Sequence, residues 1–212
     1  MHRLLVVLAA CSPPPPAKPP APPPPARCIA DTLGPLSDRW QPREDCDKPG
    51  PCDDACRGGD ANACFNRAIA LERANAPDRE TMPIFQRSCT LGLALGCTNY
   101  AAAAWLTHSV PWGCLYQVFE KTCVTKDAFG CAMRGRLLIE TAHDVATGRS
   151  VLERSCEELK GPPCHMLANY INDGTLEAKD PAQLGELFRR ACEGGDDTAC
   201  GTPAGWNESK QQ

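Results

Sequence analysis

The sequence predicts an all-α fold, αα-hairpin repeats stacked into a solenoid, and three observations carry that prediction. The stretch CRGGDANAC (56–64) returns as CTLGLALGC (89–97), CVTKDAFGC (123–131), CEELKGPPC (156–164) and CEGGDDTAC (192–200). The leading cysteines follow one another at intervals of 33, 34, 33 and 36 residues, a period typical of helical repeat arrays. Around each pair, apolar residues recur at spacings of three and four without strict alternation, the pattern of amphipathic helices.

Aligned on the leading cysteine, the columns justify each element of the unit. Five residues before it stand Ile84, Val118, Val151 and Leu187, and four before it Phe85, Phe119, Leu152 and Phe188. One before it the residue is always small: Ala55, Ser88, Thr122, Ser155, Ala191. Four after the second cysteine it is small again (Ala68, Ala101, Gly135, Ala168), and seven after it is apolar (Leu71, Ala104, Leu138, Ile171). One helix therefore ends near the first cysteine and an antiparallel partner starts near the second, with small residues letting the axes approach. Asp180-Pro181 and Pro111 supply helix starts. Such units bury their faces only against neighbours, which gives a curved solenoid.

Cysteines placed one turn before and one turn after a tight turn face each other across the two helices. Disulfides Cys56–Cys64, Cys89–Cys97, Cys123–Cys131, Cys156–Cys164 and Cys192–Cys200 would rivet every junction, each by about 2.5 kcal/mol on the chain-entropy estimate. Metal ligation, through these pairs or through Cys46, Cys52 and Cys56, is the competing reading. Zinc sites favour two to four residues between paired ligands, so seven fits poorly; no metal and no other cofactor is expected. Cys28, Cys46, Cys52 and Cys114 remain and permit three pairings. Cys46–Cys52 is the local choice, leaving Cys28–Cys114 to tie an irregular cap segment (28–50) to the solenoid (51–206). Residues 207–212 form a short tail.

The chain's beginning is of another kind. A basic start (His2, Arg3) and the apolar run Leu4 to Ala10 have the layout of a secretory signal, residues 1–10. The ending Leu8-Ala9-Ala10-Cys11 resembles a bacterial lipobox, in which Cys11 becomes the lipidated N-terminus. The linker 11–27 follows; SPPPPAKPPAPPPPAR holds ten prolines in sixteen residues. It reads as a stiff polyproline II arm of roughly 50 Å. Ser12 in place of an aspartate points to the outer membrane. Fifteen cysteines in 212 residues, fourteen without Cys11, indicate an oxidising compartment. A net charge of −4 without any basic run disfavours nucleic acid as a partner.

Taken together, the columns resemble the Sel-one-like repeat, a relative of the tetratricopeptide repeat, and the C-x7-C bridges resemble its cysteine-rich members in bacterial envelopes. CHMLANYINDG (164–174) carries the likeness best. Leu167-Ala168 stand for the family's Leu-Gly pair, Tyr170-Ile171 for its apolar-Tyr pair and Gly174 for its closing glycine. Arg67 and Arg134 depart from it by replacing an expected leucine. The resemblance implies a right-handed superhelix and a scaffold that binds another protein or peptide. It also implies a rival: some cysteine-rich members are described as β-lactamase-like, binding or weakly hydrolysing penicillins.

Catalytic residues do not present themselves. No serine has a lysine three residues later, S-D-N and K-T-G are missing, and His108, His143 and His165 are isolated. Candidates for partner binding do appear. In related solenoids the first helix of each repeat lines the concave face. The columns two, five and nine residues after the second cysteine then form a ladder: Asn66, Ile69, Arg73; Asn99, Ala102, Leu106; Met133, Arg136, Glu140; Met166, Asn169, Asp173. A basic column, Arg87, Lys121, Arg154 and Arg190, is expected from the dipole at the end of its own helix. Tyr100, Tyr116 and Trp105 are expected to pack between repeats. A sugar-binding reading would need Trp40, Trp105, Trp112 and Trp206 in one groove.

Overall fold

A computed structural model of the chain describes residues 28–48 and 50–201. Cys11, the proline-rich linker, Trp206 and the tail lie outside the described residues. Within them, ten α-helices follow in order: α1 Pro51–Arg57, α2 Ala61–Arg73, α3 Asp78–Thr90, α4 Ala94–Leu106, α5 Trp112–Val124, α6 Ala128–Glu140, α7 Val145–Leu159, α8 Pro162–Asn172, α9 Gln183–Glu193 and α10 Asp197–Cys200. Each helix packs against the next, and the pairs α1/α2 to α9/α10 stack as five hairpins in a solenoid-like row. No described helix is long and apolar enough to cross a membrane.

The junction disulfides are present in all five hairpins, with Cα atoms 4.3 to 4.7 Å apart. Helix starts are set by aspartates. Asp60, Asp127, Asp144 and Asp196 accept from the backbone N–H groups of Ala63, Phe129, Thr147 and Thr198, caps worth about 1 kcal/mol each. The ninth helix begins two residues after Pro181, at Gln183, because the Asp180 carboxylate accepts from the Ala182 N–H in a turn ahead of it.

The aromatic column forms the spine of the core: Phe85, Phe119 and Leu152 are fully buried. In the first, shortened hairpin its place is taken by buried Cys52, which is bonded to Cys46. The small column has a specific partner. A Cβ on Gly130 would strike the Thr122 hydroxyl, and one on Gly96 the Ser88 hydroxyl. Ser88 in turn donates to the Ala61 carbonyl of the preceding repeat at 2.8 Å. Helices α6 and α7 also approach closely: a Cβ on Gly148 would stand 2.9 Å from the Gly135 carbonyl oxygen.

Two basic columns are used in a way the helix dipole alone does not explain. Arg87 donates to the carbonyls of Cys56 and Arg57 at 2.9 and 2.7 Å, and Arg190 to those of Cys156 and Glu157 at 3.0 and 3.2 Å. Each arginine therefore closes the open end of the preceding repeat's helix, not its own. Arg67 and Arg134, at leucine positions, are paired: Arg67 with Asp53 at 2.9 Å, Arg134 with Glu120 at 3.0 Å and with the Tyr116 hydroxyl at 3.1 Å.

Cys28 is bonded to Cys114 of α5, across 86 residues of sequence. The cap segment is thereby fixed at both ends and runs back over the first repeats. Ala30, with Cys28, Ile29, Leu33 and Leu36, joins the apolar cluster of Ala101, Ala104, Leu115 and Phe119. Further along, Ser37 bridges to Leu93, donating to the Gly92 carbonyl at 2.8 Å and accepting from the Ala94 N–H at 2.9 Å.

Candidate functional site

The even-numbered helices carry the ladder, and its first rung is already occupied. Asn62 and Asn66 lie one turn apart on α2. Asn62 Oδ1 accepts from the Gln41 N–H at 2.9 Å; Asn66 Nδ2 donates to the Gln41 carbonyl at 2.8 Å; Asn66 Oδ1 accepts from the Arg43 N–H at 3.3 Å. Two asparagines thus hold the main chain of an extended segment, independently of its side chains. Trp40 packs edge-on against Phe65 at 6.2 Å, and Arg43 pairs with Asp60 at 2.7 Å. Charge and hydrogen bonding from Arg43 favour ionisation of Asp45 beside it, whose carboxyl sits below its usual range.

Asn66 is therefore buried by the chain itself and is not offered to a partner. Met133 is also buried, within the cluster that includes Leu137 and Phe119. These two rungs correct the expectation of a continuously accessible stripe. On α4, Ala102 packs under the cap segment's cluster, and Asn99 Nδ2 donates to the Leu95 carbonyl at 2.9 Å, as Asn66 does to Asn62. Ile69 is half-buried, while Arg73 and Leu106 are exposed.

On α6, Arg136 and Glu140 join Trp105 of α4 and Tyr170 of α8 in one cluster. The Arg136 guanidinium lies 4.4 Å over the Trp105 ring and donates to Glu140 at 3.0 Å; the Tyr170 hydroxyl donates to the same Glu140 oxygen at 2.7 Å. Burial, reinforced by the Glu140 carboxylate, raises the Tyr170 phenol far above its ordinary value, so it stays a donor. Beside them Asn169 and Asp173 are exposed and Met166 is half-buried. The cap segment makes no hydrogen bond or ion pair with α6 or α8 among the described residues.

The other sequence candidates settle as follows. His165 Nδ1 lies 2.8 Å from Asp196 of the next repeat. Burial opposes ionisation of Asp196, but hydrogen bonds from Thr198 and His165 outweigh it and hold the carboxyl low. The equivalent joint one repeat pair earlier is Thr98 donating to buried Asp127 at 2.5 Å, where burial prevails and pushes the carboxyl up. His108 and His143 occupy left-handed positions after helix ends. Asp45 lies near Cys46 and Cys52, but those sulfurs are bonded to each other and offer no thiolate to a metal. Among the described residues no serine hydroxyl is hydrogen-bonded to a lysine, histidine or carboxylate. Trp40 and Trp105 are engaged separately, by Phe65 and by Arg136.

Sequence reasoning missed Asn62 and the pairing of Arg136 with Trp105. The signal for Asn62 was its place four residues before Asn66 on one helix face. No protein-family model and no curated protein matches the chain.

Proposed function

We propose that this chain is a non-catalytic scaffold of the Sel-one-like repeat type, which holds a protein or peptide against the α6–α8 part of its ladder face. The supporting observation is the chain's own cap segment, laid on α2 through main-chain hydrogen bonds to Asn62 and Asn66. The same face continues without that cover past Arg136, Glu140, Met166, Asn169 and Asp173. A partner there would meet a mixture of charge, amide and thioether that differs from rung to rung, which favours one sequence over another.

Seven disulfides suit an oxidising, non-cytoplasmic compartment. The finer placement rests on sequence: Cys11 as a lipid anchor in the outer membrane of a bacterial envelope, with the proline arm holding the domain off the bilayer. Labelled palmitate should enter the wild type and not Cys11→Ala.

A photo-crosslinking side chain at position 169 or 173, in oxidised protein expressed in its envelope, tests the scaffold itself. A discrete adduct that disappears in an Arg136→Glu/Glu140→Arg variant of intact fold is the expected result. Absence of any adduct from either position would remove the reading. Turnover of a chromogenic cephalosporin, or a stable acyl adduct by intact mass, would replace it with the β-lactamase-like one.

A further inference from the structure

A cleft of about 390 Å³ opens between α5, α6 and α7, on residues outside the ladder. Its lining combines the apolar Val124, Val151 and Leu159 with the cationic Lys126, Arg134 and Arg154; Glu158 is the carboxylate among them. Val124 is 77% exposed although it sits at a helix end amid packed neighbours.

Two departures from the repeat pattern coincide here. Arg87 and Arg190 close the carbonyls of the preceding repeat's leading cysteine and of the residue after it. Arg154 holds the same position, two before its leading cysteine, and faces the equivalent residues Cys123 and Val124 across the cleft. It makes no hydrogen bond or ion pair among the described residues, and neither does Lys121 of the same column, so the staple is closed at Arg87 and Arg190 and open at Lys121 and Arg154. The second departure is Lys126. Three residues after the leading cysteine the first, second and fifth repeats place Gly59, Gly92 and Gly195, at φ 102°, 94° and 83°, while the fourth places Leu159 at its helix end, followed by left-handed Lys160 at φ 56°. Lys126 holds the same left-handed conformation at φ 65°, where a residue with a Cβ is uncommon. A lysine thus sits in a glycine's position, and it lines the cleft. Arg134, whose terminal nitrogen is bonded to Glu120 and Tyr116, also lines the cleft, and its buried Nε has no hydrogen-bond partner.

We propose that this cleft binds a small organic monoanion: a carboxylate held by Lys126 and Arg154, attached to an apolar body lying on Val124, Val151 and Leu159. The charge follows from the groups present. Arg134 is paired with Glu120, and counting Glu158 on the lining against Lys126 and Arg154 leaves a net single positive charge. The size is that of a small-ligand site. A free aliphatic acid and the C-terminus of a peptide share this chemistry. The proposal is independent of the scaffold reading, whose face lies on other residues.

The test is methyl-labelled NMR on the oxidised full chain, titrated with sodium octanoate, 1-octanol, N-acetyl-leucine and N-acetyl-leucinamide. Octanoate or N-acetyl-leucine should shift the methyl signals of Val124, Val151 and Leu159 saturably, with Kd on the order of 0.1–1 mM. Octanol and the amide should bind at least tenfold more weakly, and Arg154→Gln, at an exposed position, should cost the acids a similar factor. Tighter octanoate identifies a free acid as the source; tighter N-acetyl-leucine identifies a chain terminus. Equal shifts by acid and neutral analogue, no saturable shift, or an Arg154→Gln variant with unchanged Kd would each overturn the proposal.

Discussion

The first two repeats and the next two present the same helix face to different surroundings. Over α2 and α4 the face is roofed by the cap segment, pinned by Cys28–Cys114 and Cys46–Cys52 and seated on Asn62 and Asn66. Over α6 and α8 no such roof is present among the described residues, and cohesion comes from below, through the Gly135–Gly148 approach and the joint between His165 and Asp196. The difference shows how a segment with few apolar residues is kept in place. Its ordering entropy, about 1–2 kcal/mol per residue, is offset by covalent ties at its ends and main-chain hydrogen bonds along it. A helix pair needs neither, because its apolar columns are buried along its length.

The largest expected effect removes the roof. Cys28→Ala/Cys114→Ala opens an 86-residue loop, which on the chain-entropy estimate lowers stability by about 4.5 kcal/mol. Denaturant unfolding should show it, and limited proteolysis should then cut between residues 33 and 43 with the junction disulfides intact. In the unroofed half, Gly148→Ala should cost about 3 kcal/mol, the upper end for overpacking, since its Cβ meets the Gly135 backbone and Ile139. Asn66→Ala strips two main-chain groups of the cap segment of partners and should cost about 2 kcal/mol. Asn169→Ala, its counterpart on the open face, should change thermal unfolding by no more than about 0.5 kcal/mol. Equal effects at positions 66 and 169 would erase the distinction between the two halves.

The boundary between the halves carries a pH signature. The Asp127 carboxyl is raised in the folded chain, chiefly by burial. Ionising it therefore costs stability that is intact while the group is protonated and is lost as the pH rises through the raised value. Asp127→Asn retains an oxygen for the Phe129 N–H and has no charge to bury. Its melting temperature should exceed the wild type's at pH 7, with the gap closing as the pH falls below the ordinary carboxylate range.

The hairpins were legible because their determinants repeat. Phe85, Phe119 and Phe188 fill one column, and a small residue such as Ser88 or Thr122 is matched by a glycine beside the second cysteine. The roof was not legible. Residues 33–43 have no period, and their contacts with Asn62 and Asn66 span more than 20 positions. The role of the basic column was half visible: sequence placed Arg87 and Arg190 near helix ends, but which helix each one closes depends on how neighbouring repeats stack. Likewise the rungs fall on one helix of each pair, yet whether a rung is covered, as at Asn66, or buried, as at Met133, depends on distant parts of the chain.

The separations of the seven bridges also order events during oxidative folding. Five of them join cysteines only eight residues apart, so each hairpin can oxidise as soon as it emerges, pairing with the nearest thiol available. Cys28 emerges first of the paired cysteines and must wait until α5 has been delivered behind the first two hairpins. An oxidoreductase acting on the emerging chain therefore meets one thiol that its neighbours could capture wrongly, and closure of Cys28 onto Cys114 is the covalent record that the first half has assembled in register.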